Sequence, residues 1–407
     1  MIDGKGEEDN ITGEKREQFP VETAALTAGI TDEPKVAPDV GGEQKKAGSK
    51  AAFKVLVNVL FLLLSAGIIA WIAISEFGGS SDNTDKVTFA AAAQQVIDNR
   101  MWLLFAVLML IVFALCDMGK VLAMSYSSTK RFRPFVAYKA GAIGRYYDNI
   151  TPFGAGGQPF QIHYLSQKMS GGAALSTVLA TFFIQQMSFV LAAPTFLVFA
   201  SLEETTPIWT TVIMWIGYVF FAAVPIMILI LTLKEKTARK MVDIFLRMLK
   251  KLRLIRDYDK TAAKTHKFLD DYKVAVTSVS KNIPAIIIGF AFSILQFFLY
   301  FWIPCTVMLA CGVEVGALKG VFSQMVAIHF MVAILPSPGG AGASEGTFYI
   351  IFKELLAPLG MLFWGVTLWR FLIFYFFIIQ GFIIVLVRTV SKSVAKVRMS
   401  KQIGKLR

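Results

Sequence analysis

Apolar residues along the chain collect into long runs parted by short polar stretches. Runs at 51–75, 101–124, 172–200, 207–233, 284–311 and 360–388 are each long enough to cross about 30 Å of hydrocarbon as a helix. Two further apolar segments are interrupted. One is 142–167, "AIGRYYDNITPFGAGGQPFQIHYLSQ". The other is 320–356, with "ILPSPGGAGASEG" at its centre. Each reads as an apolar arm, a Pro/Gly break and a second arm. Neither arm of the first is long or apolar enough to span. Irregular backbone is not tolerated facing lipid, so such breaks must face protein or a wet cavity. The pattern predicts an all-α polytopic membrane protein of six spanning helices and two re-entrant broken hairpins.

Charge orients this pattern. The chain has 407 residues and a formal net charge of +13. Basic residues gather in 119–145 (Lys120, Lys130, Arg131, Arg133, Lys139, Arg145), in the linker 234–283 and after Arg388. The loops 76–100 and 201–206 carry more acids than bases. By the positive-inside rule both termini, 119–145 and 234–283 are cytoplasmic, and the two acidic loops are external. The first hairpin then enters from the cytoplasm and the second from outside. Each half, 51–203 and 204–390, reads span, span, broken hairpin, span, in opposite orientation. That is an inverted-topology repeat, in which broken helices meet near the midplane around a substrate. Residues 1–50 are polar, lack a signal-peptide apolar core and read as a disordered cytoplasmic tail. Residues 391–407 read as a basic cytoplasmic tail. In the linker, Met241, Ile244, Phe245, Met248, Leu252 and Ile255 recur at helical spacing. This fits either an amphipathic helix on the inner leaflet or a solvated hairpin.

Composition removes several function classes. Three cysteines (Cys116, Cys305, Cys311) lie in or beside apolar runs and read as small packing residues. Three scattered histidines make no metal motif. No GxxxxGK[ST] loop is present, so direct ATP drive by this chain is not expected. The basic charge flanks apolar runs, which points to membrane topology and away from nucleic acid. No nucleophile–base pair stands out, so the expectation is no enzyme and no cofactor.

The breaks are where chemistry is expected. A helix that restarts presents free N–H groups and a positive end, suited to phosphate or carboxylate. Glu345 follows the second break, and Arg370 lies about 15 Å down the last span at 1.5 Å per residue. They are either a structural ion pair or a site where arginine holds an anionic head group. Arg145 approaches from the first hairpin. Asn149, Thr151, Gln158, Gln161 and His163 surround the first break and could hydrogen-bond a head group. Gln185 and Gln186, mid-span, rank lower because midspan glutamine often serves as interhelix glue.

The stretches "NITPFGAGGQPFQIHYL" (149–165) and "LPSPGGAGASEG" (335–346) resemble the paired signatures of the lysylphosphatidylglycerol synthetase transmembrane family, over about residues 51–390. The Gly-Gly-Gln-Pro variant is similar to a Gram-positive branch. The resemblance implies a bacterial plasma-membrane protein that moves lipids or lipid-linked head groups between leaflets. It marks Pro152, Gly156, Gly157, Gln158, Pro336, Gly339, Gly340 and Glu345 as motif positions. Many such members add a soluble aminoacyltransferase domain. Here a basic stretch of about 20 residues follows the last span, so lipid aminoacylation by this chain is not expected. The expected cargo is an anionic phospholipid, a glycolipid or a polyprenyl phosphate, with a separate lipid-modifying enzyme as a further partner. A proton-coupled transporter of a small soluble solute is the alternative.

Overall fold

The computed structural model describes residues 63, 66–74, 87–154, 156–203, 207–251 and 281–405, with scattered positions between 258 and 277. These fall in one compact unit, Leu56–Arg407. The tail expected at 1–50, most of the span expected at 51–75, and Leu252 and Ile255 lie outside the described residues.

The helices in order are α1 (Phe89–Asp98), α2 (Arg100–Thr129), α3 (Pro134–Ile150), α4 (Gly157–Ser166), α5 (Gly171–Ser201), α6 (Ile208–Leu233), α7 (Glu235–Lys251), α8 (Ile283–Ala310), α9 (Leu318–Ala333), α10 (Ala343–Leu356), α11 (Leu362–Arg370) and α12 (Phe376–Lys405). A π-helical turn, Phe371–Tyr375, joins the last two. Among the described residues no strand forms, and six helices are long and apolar enough to cross a membrane. The chain is an all-α polytopic membrane protein.

Five of these spans fall where hydropathy places them: Arg100–Thr129, Gly171–Ser201, Ile208–Ile230, Ile283–Ala310 and Leu362–Ser391. The sixth, Val315–Ala333, is the arm leading into the second break. Of its apolar stretch 61% is buried inside the protein, against 22–33% for the other five. It is apolar because it packs in the middle of the protein, where hydropathy alone does not separate it from a lipid-facing helix. One local expectation changes. Residues 89–98, expected as external loop, form α1, whose alanine-rich run starts at a Thr88 cap accepting from the Ala91 N–H at 3.2 Å. Helix α12 itself runs on from the last span to Lys405. In the linker α7 is helical, with Leu246 buried and Ile244 and Met248 exposed.

The core is aromatic. Phe297, Phe301, Phe322, Phe330 and Phe348 are fully or almost fully buried between α8, α9 and α10. Large apolar residues such as Leu104, Leu191 and Ile216 stay exposed, as they do where lipid is the solvent. Helix α8 packs along α2, α3 lies against α12, and α9 lies against α5 and α6.

Candidate functional site

Both breaks form as irregular backbone between helices. The first lies between α3 and α4, the second between α9 and α10, and an isolated antiparallel bridge pairs Pro152 of one with Pro338 of the other. Neither proline has an N–H, so flanking residues must supply the bridge's donors. The two tips therefore meet.

Each restart is tied to a carboxylate. Asp148, near the end of α3, accepts the N–H of Gly157 at 2.8 Å, at the first residue of α4. A side chain on Gly157 would collide with that carboxylate. Thr151 accepts the Gly156 N–H at 2.9 Å and donates to the Tyr147 carbonyl at 2.7 Å. In α10, Glu345 accepts the Gly342 N–H at 2.8 Å. This is the acidic half of a capping box, and it neutralises one orphan donor at the helix start.

Glu345 and Arg370 are paired, Nε to Oε1 at 2.6 Å, and are 0% and 3% exposed. Arg370 Nη1 also donates to the Gly339 carbonyl at 3.4 Å, and its guanidinium lies 4.1 Å from the Phe374 ring centroid. Among the described residues its Nη2 is buried with no hydrogen-bond partner. Gly339, at φ +56°, leaves room for this: a Cβ there would meet the Phe374 ring and come 3.0 Å from the Asn149 carbonyl. Phe374 belongs to a phenylalanine-rich stretch of the last span, "FLIFYFFIIQGF", 371–382. It is buried and covers Arg370, while Phe371 and Phe382 of the same stretch are exposed.

A second polar cluster was not visible as a unit in the sequence. Asp117 of α2 pairs with Lys120 at 3.1 Å and with Arg145 of α3 at 2.7 Å. Lys120 donates to the side-chain oxygens of Gln185 on α5 and Gln296 on α8. Arg145 lies 4.3 Å from the Phe113 ring centroid. Lys120 is 2% exposed, so it is not the cytoplasmic loop residue that the charge count made it. Its spacing from Asp117, one turn earlier, was the available signal.

These groups share one cavity of about 710 Å³ between the two breaks. Lys120, Arg145 and Arg370 line it with Asp117 and Asp148. Of the sequence candidates, Asn149, Gln158, Gln161, Gly339 and Gly340 also line it, as do Gln185 and Gln186. Glu345 stands behind Arg370. Thr151, Pro152, Gly156 and Gly157 shape the first tip, and Pro336 is an exposed residue of the second. His163 is exposed and bonds Gln167 at 2.9 Å, away from the cavity. His329 of α9 lines it instead, ringed by Phe189, Phe221, Tyr300, Phe301 and Phe330 at 5.2–5.6 Å between centroids. The described residues include no cluster of three or more His, Cys, Asp or Glu able to hold a metal ion.

Chemically, the cavity is a polar chamber among apolar helices. Ionised groups at such depth cost at least about 2.5–3.5 kcal/mol each, which pairing offsets. Asp117 faces two cations, and among the described residues Arg370 keeps one donor without a partner. The arrangement suits an anion.

Comparison with known proteins gives one family. The family model described as "Lysylphosphatidylglycerol synthase TM region" matches residues 58–381. No curated protein and no solved structure matches the chain.

Proposed function

The chain belongs to the lysylphosphatidylglycerol synthase TM region family, and from that premise we propose that it carries a lipid, or a lipid-linked head group, between bilayer leaflets through this cavity. Membership ties the protein to membrane lipids. The translocation step is our reading, and one observation carries it: a buried arginine, Arg370, lines a chamber of about 710 Å³ with one guanidinium nitrogen, Nη2, unpartnered among the described residues.

In this reading the phosphate of the head group enters the chamber while the acyl chains stay in the bilayer. Arg370 donates Nη2 to a phosphate oxygen, and Lys120 and Arg145 supply further positive charge. The touching tips at Pro152 and Pro338 part and rejoin to expose the chamber to alternate sides. The lipid's covalent bonds are untouched, so any modified lipid comes from a separate enzyme. The membrane is the bacterial plasma membrane, with both termini in the cytoplasm.

The test is leaflet exchange of tail-labelled lipids in proteoliposomes, with wild type, Arg370→Ala and Glu345→Gln compared as monodisperse proteins. The panel holds phosphatidylglycerol, a glycolipid and a polyprenyl phosphate. Exchange by wild type that falls at least about tenfold in Arg370→Ala supports the reading. Exchange indifferent to both substitutions removes the arginine from transport. No exchange of any lipid overturns translocation.

A further inference from the structure

We propose that Phe153 is a ligand-binding residue: its ring, on the lip of the cavity, covers the ester end of a lipid's acyl chains while the phosphate reaches Arg370. This rests on the phosphate reading above and adds how an amphiphile is told from a water-soluble phosphate.

The two tips are built on the same turn. In the first, Pro152 is followed by Phe153 at φ +57°, and the Gly154 N–H donates to the Thr151 carbonyl at 3.3 Å. In the second, Pro338 is followed by Gly339 at φ +56°, and the Gly340 N–H donates to the Ser337 carbonyl at 3.3 Å. Proline suits the second position of such a turn, and the positive φ of the third is where glycine or asparagine is expected. The second tip obeys this and the first does not. A bulky side chain at positive φ is a costly outlier, kept where the site gains from it. Lys130, the other non-glycine residue at positive φ among those described, ends α2, where a left-handed residue is ordinary.

Packing inside the protein does not account for the ring, because Phe153 is 57% exposed. It lines the cavity with two more exposed apolar side chains, Leu335 at the second break and Phe220 on α6, 46% and 48% exposed. Lys120, Arg145 and Arg370 line the same cavity. The backbone ties the ring to the guanidinium. Phe153 follows Pro152, which bridges Pro338, and the carbonyl of the next residue, Gly339, accepts from Arg370 Nη1 at 3.4 Å. A ligand that fills such a site carries an anionic end and an apolar end close together. A phospholipid does so across its ester linkages, and a free phosphate or glycerol phosphate does not. Covering about 60 Å² of apolar surface corresponds to about a tenfold gain in affinity.

The experiment compares wild type with Phe153→Gly, Phe153→Ala and Phe153→Tyr. Binding of dihexanoyl phosphatidylglycerol, glycerol 3-phosphate and inorganic phosphate is measured in one detergent, so that partitioning of the short lipid into micelles cancels between proteins. Thermal unfolding and exchange of tail-labelled phosphatidylglycerol in proteoliposomes are measured alongside. The expected result is that dihexanoyl phosphatidylglycerol binds about tenfold more weakly to Phe153→Gly and Phe153→Ala. Phe153→Tyr restores the affinity, and the two probes without tails bind all four proteins alike. Lipid exchange falls with the affinity. Phe153→Gly unfolds at or above the wild-type temperature, since glycine accepts the positive φ without strain. A purely structural ring would do the reverse, so a clearly lower unfolding temperature for Phe153→Gly overturns the proposal. Dihexanoyl phosphatidylglycerol that binds Phe153→Gly as it binds wild type also overturns it, and so does equal weakening of all three probes. If wild type exchanges lipid and every Phe153 variant matches it in both assays, lipid carriage stands and this proposal alone falls. Ring-dependent binding of the short lipid with no exchange by wild type keeps the proposal and overturns translocation. Neither binding nor exchange by wild type overturns both.

Discussion

Arg370 and Glu345 show how much a single buried charge depends on its partner. Glu345 is fully buried and holds both the Arg370 guanidinium and the Gly342 N–H. Breaking such a pair from one side strands the other charge, at about 3–5 kcal/mol. Glu345→Met and Arg370→Met should each lose about that much in reversible denaturation. The double variant should recover to within about 1–2 kcal/mol of wild type, because two apolar side chains need no partner. If the double variant is as unstable as the singles, the pair is not an isolated ionic unit. If it is stable and still exchanges lipid at the wild-type rate, Arg370 has no part in binding phosphate. Gly339 offers a second residue-scale check. Gly339→Ala must place a Cβ at φ +56° against Phe374 and the Asn149 carbonyl, and should cost about 1–3 kcal/mol. Gly346→Ala, in helix α10 with nothing within 4 Å of its Cβ position, should be neutral or stabilising by up to about 1 kcal/mol. Equal losses at the two glycines would mean that the tight contact at Gly339 is not formed.

At the scale of elements, the meeting of the two broken segments decides what the cavity is. Facing residues of an antiparallel pair have Cα atoms about 4.5–5.5 Å apart, within the roughly 4.4–6.8 Å that a disulfide spans. With Cys116, Cys305 and Cys311 replaced by alanine, Pro152→Cys/Pro338→Cys should crosslink on mild oxidation, read as a gel-mobility shift. In the proposed mechanism the crosslink stops lipid exchange and a reductant restores it. A crosslink that forms and leaves exchange untouched would show that the tips need not part. The breaks themselves were legible, since proline and glycine inside apolar sequence have few structural meanings. Their contact was not, because nothing local in either motif encodes its partner. The Asp117–Lys120–Arg145 cluster escaped for a related reason. One charged turn at the end of an apolar run looks like the edge of a loop, and only the glutamines of α5 and α8 make it interior. Helix α1 was missed because an alanine-rich stretch is too weakly apolar to register by hydropathy yet needs little more than its cap to be helical.

At the scale of the whole molecule, orientation and repeat stand or fall together. The arm α3, leading into the first break, lies against α12, the last span of the second half. The arm α9, leading into the second break, lies against α5, the last span of the first. This exchange of arms is what an inverted repeat requires, and we propose that arrangement. Its weak point is α9, which is long enough to cross the membrane outright. Should it cross, the second break would emerge on the cytoplasmic face. Arg370 argues for depth instead. It follows Leu362, the start of the last span, by eight residues, or about 12 Å of helix, and it bonds Gly339 at the break. Removing the buried Lys120 and the half-buried Arg145 from the charge count still leaves Lys130, Arg131, Arg133 and Lys139 together on one side. In the cysteine-free background, Arg131→Cys should therefore react with a membrane-impermeant maleimide only from the cytoplasm, and Glu203→Cys only from outside. Leu335→Cys, at the second break, should react slowly with the impermeant reagent from either side and readily with a small permeant one. Rapid impermeant labelling of Leu335→Cys from the cytoplasm would make α9 a complete span, and the inverted repeat would fall with it. Slow labelling from both faces, with the two loop positions on opposite sides, would place the chamber between the leaflets, where a head group in transit must pause.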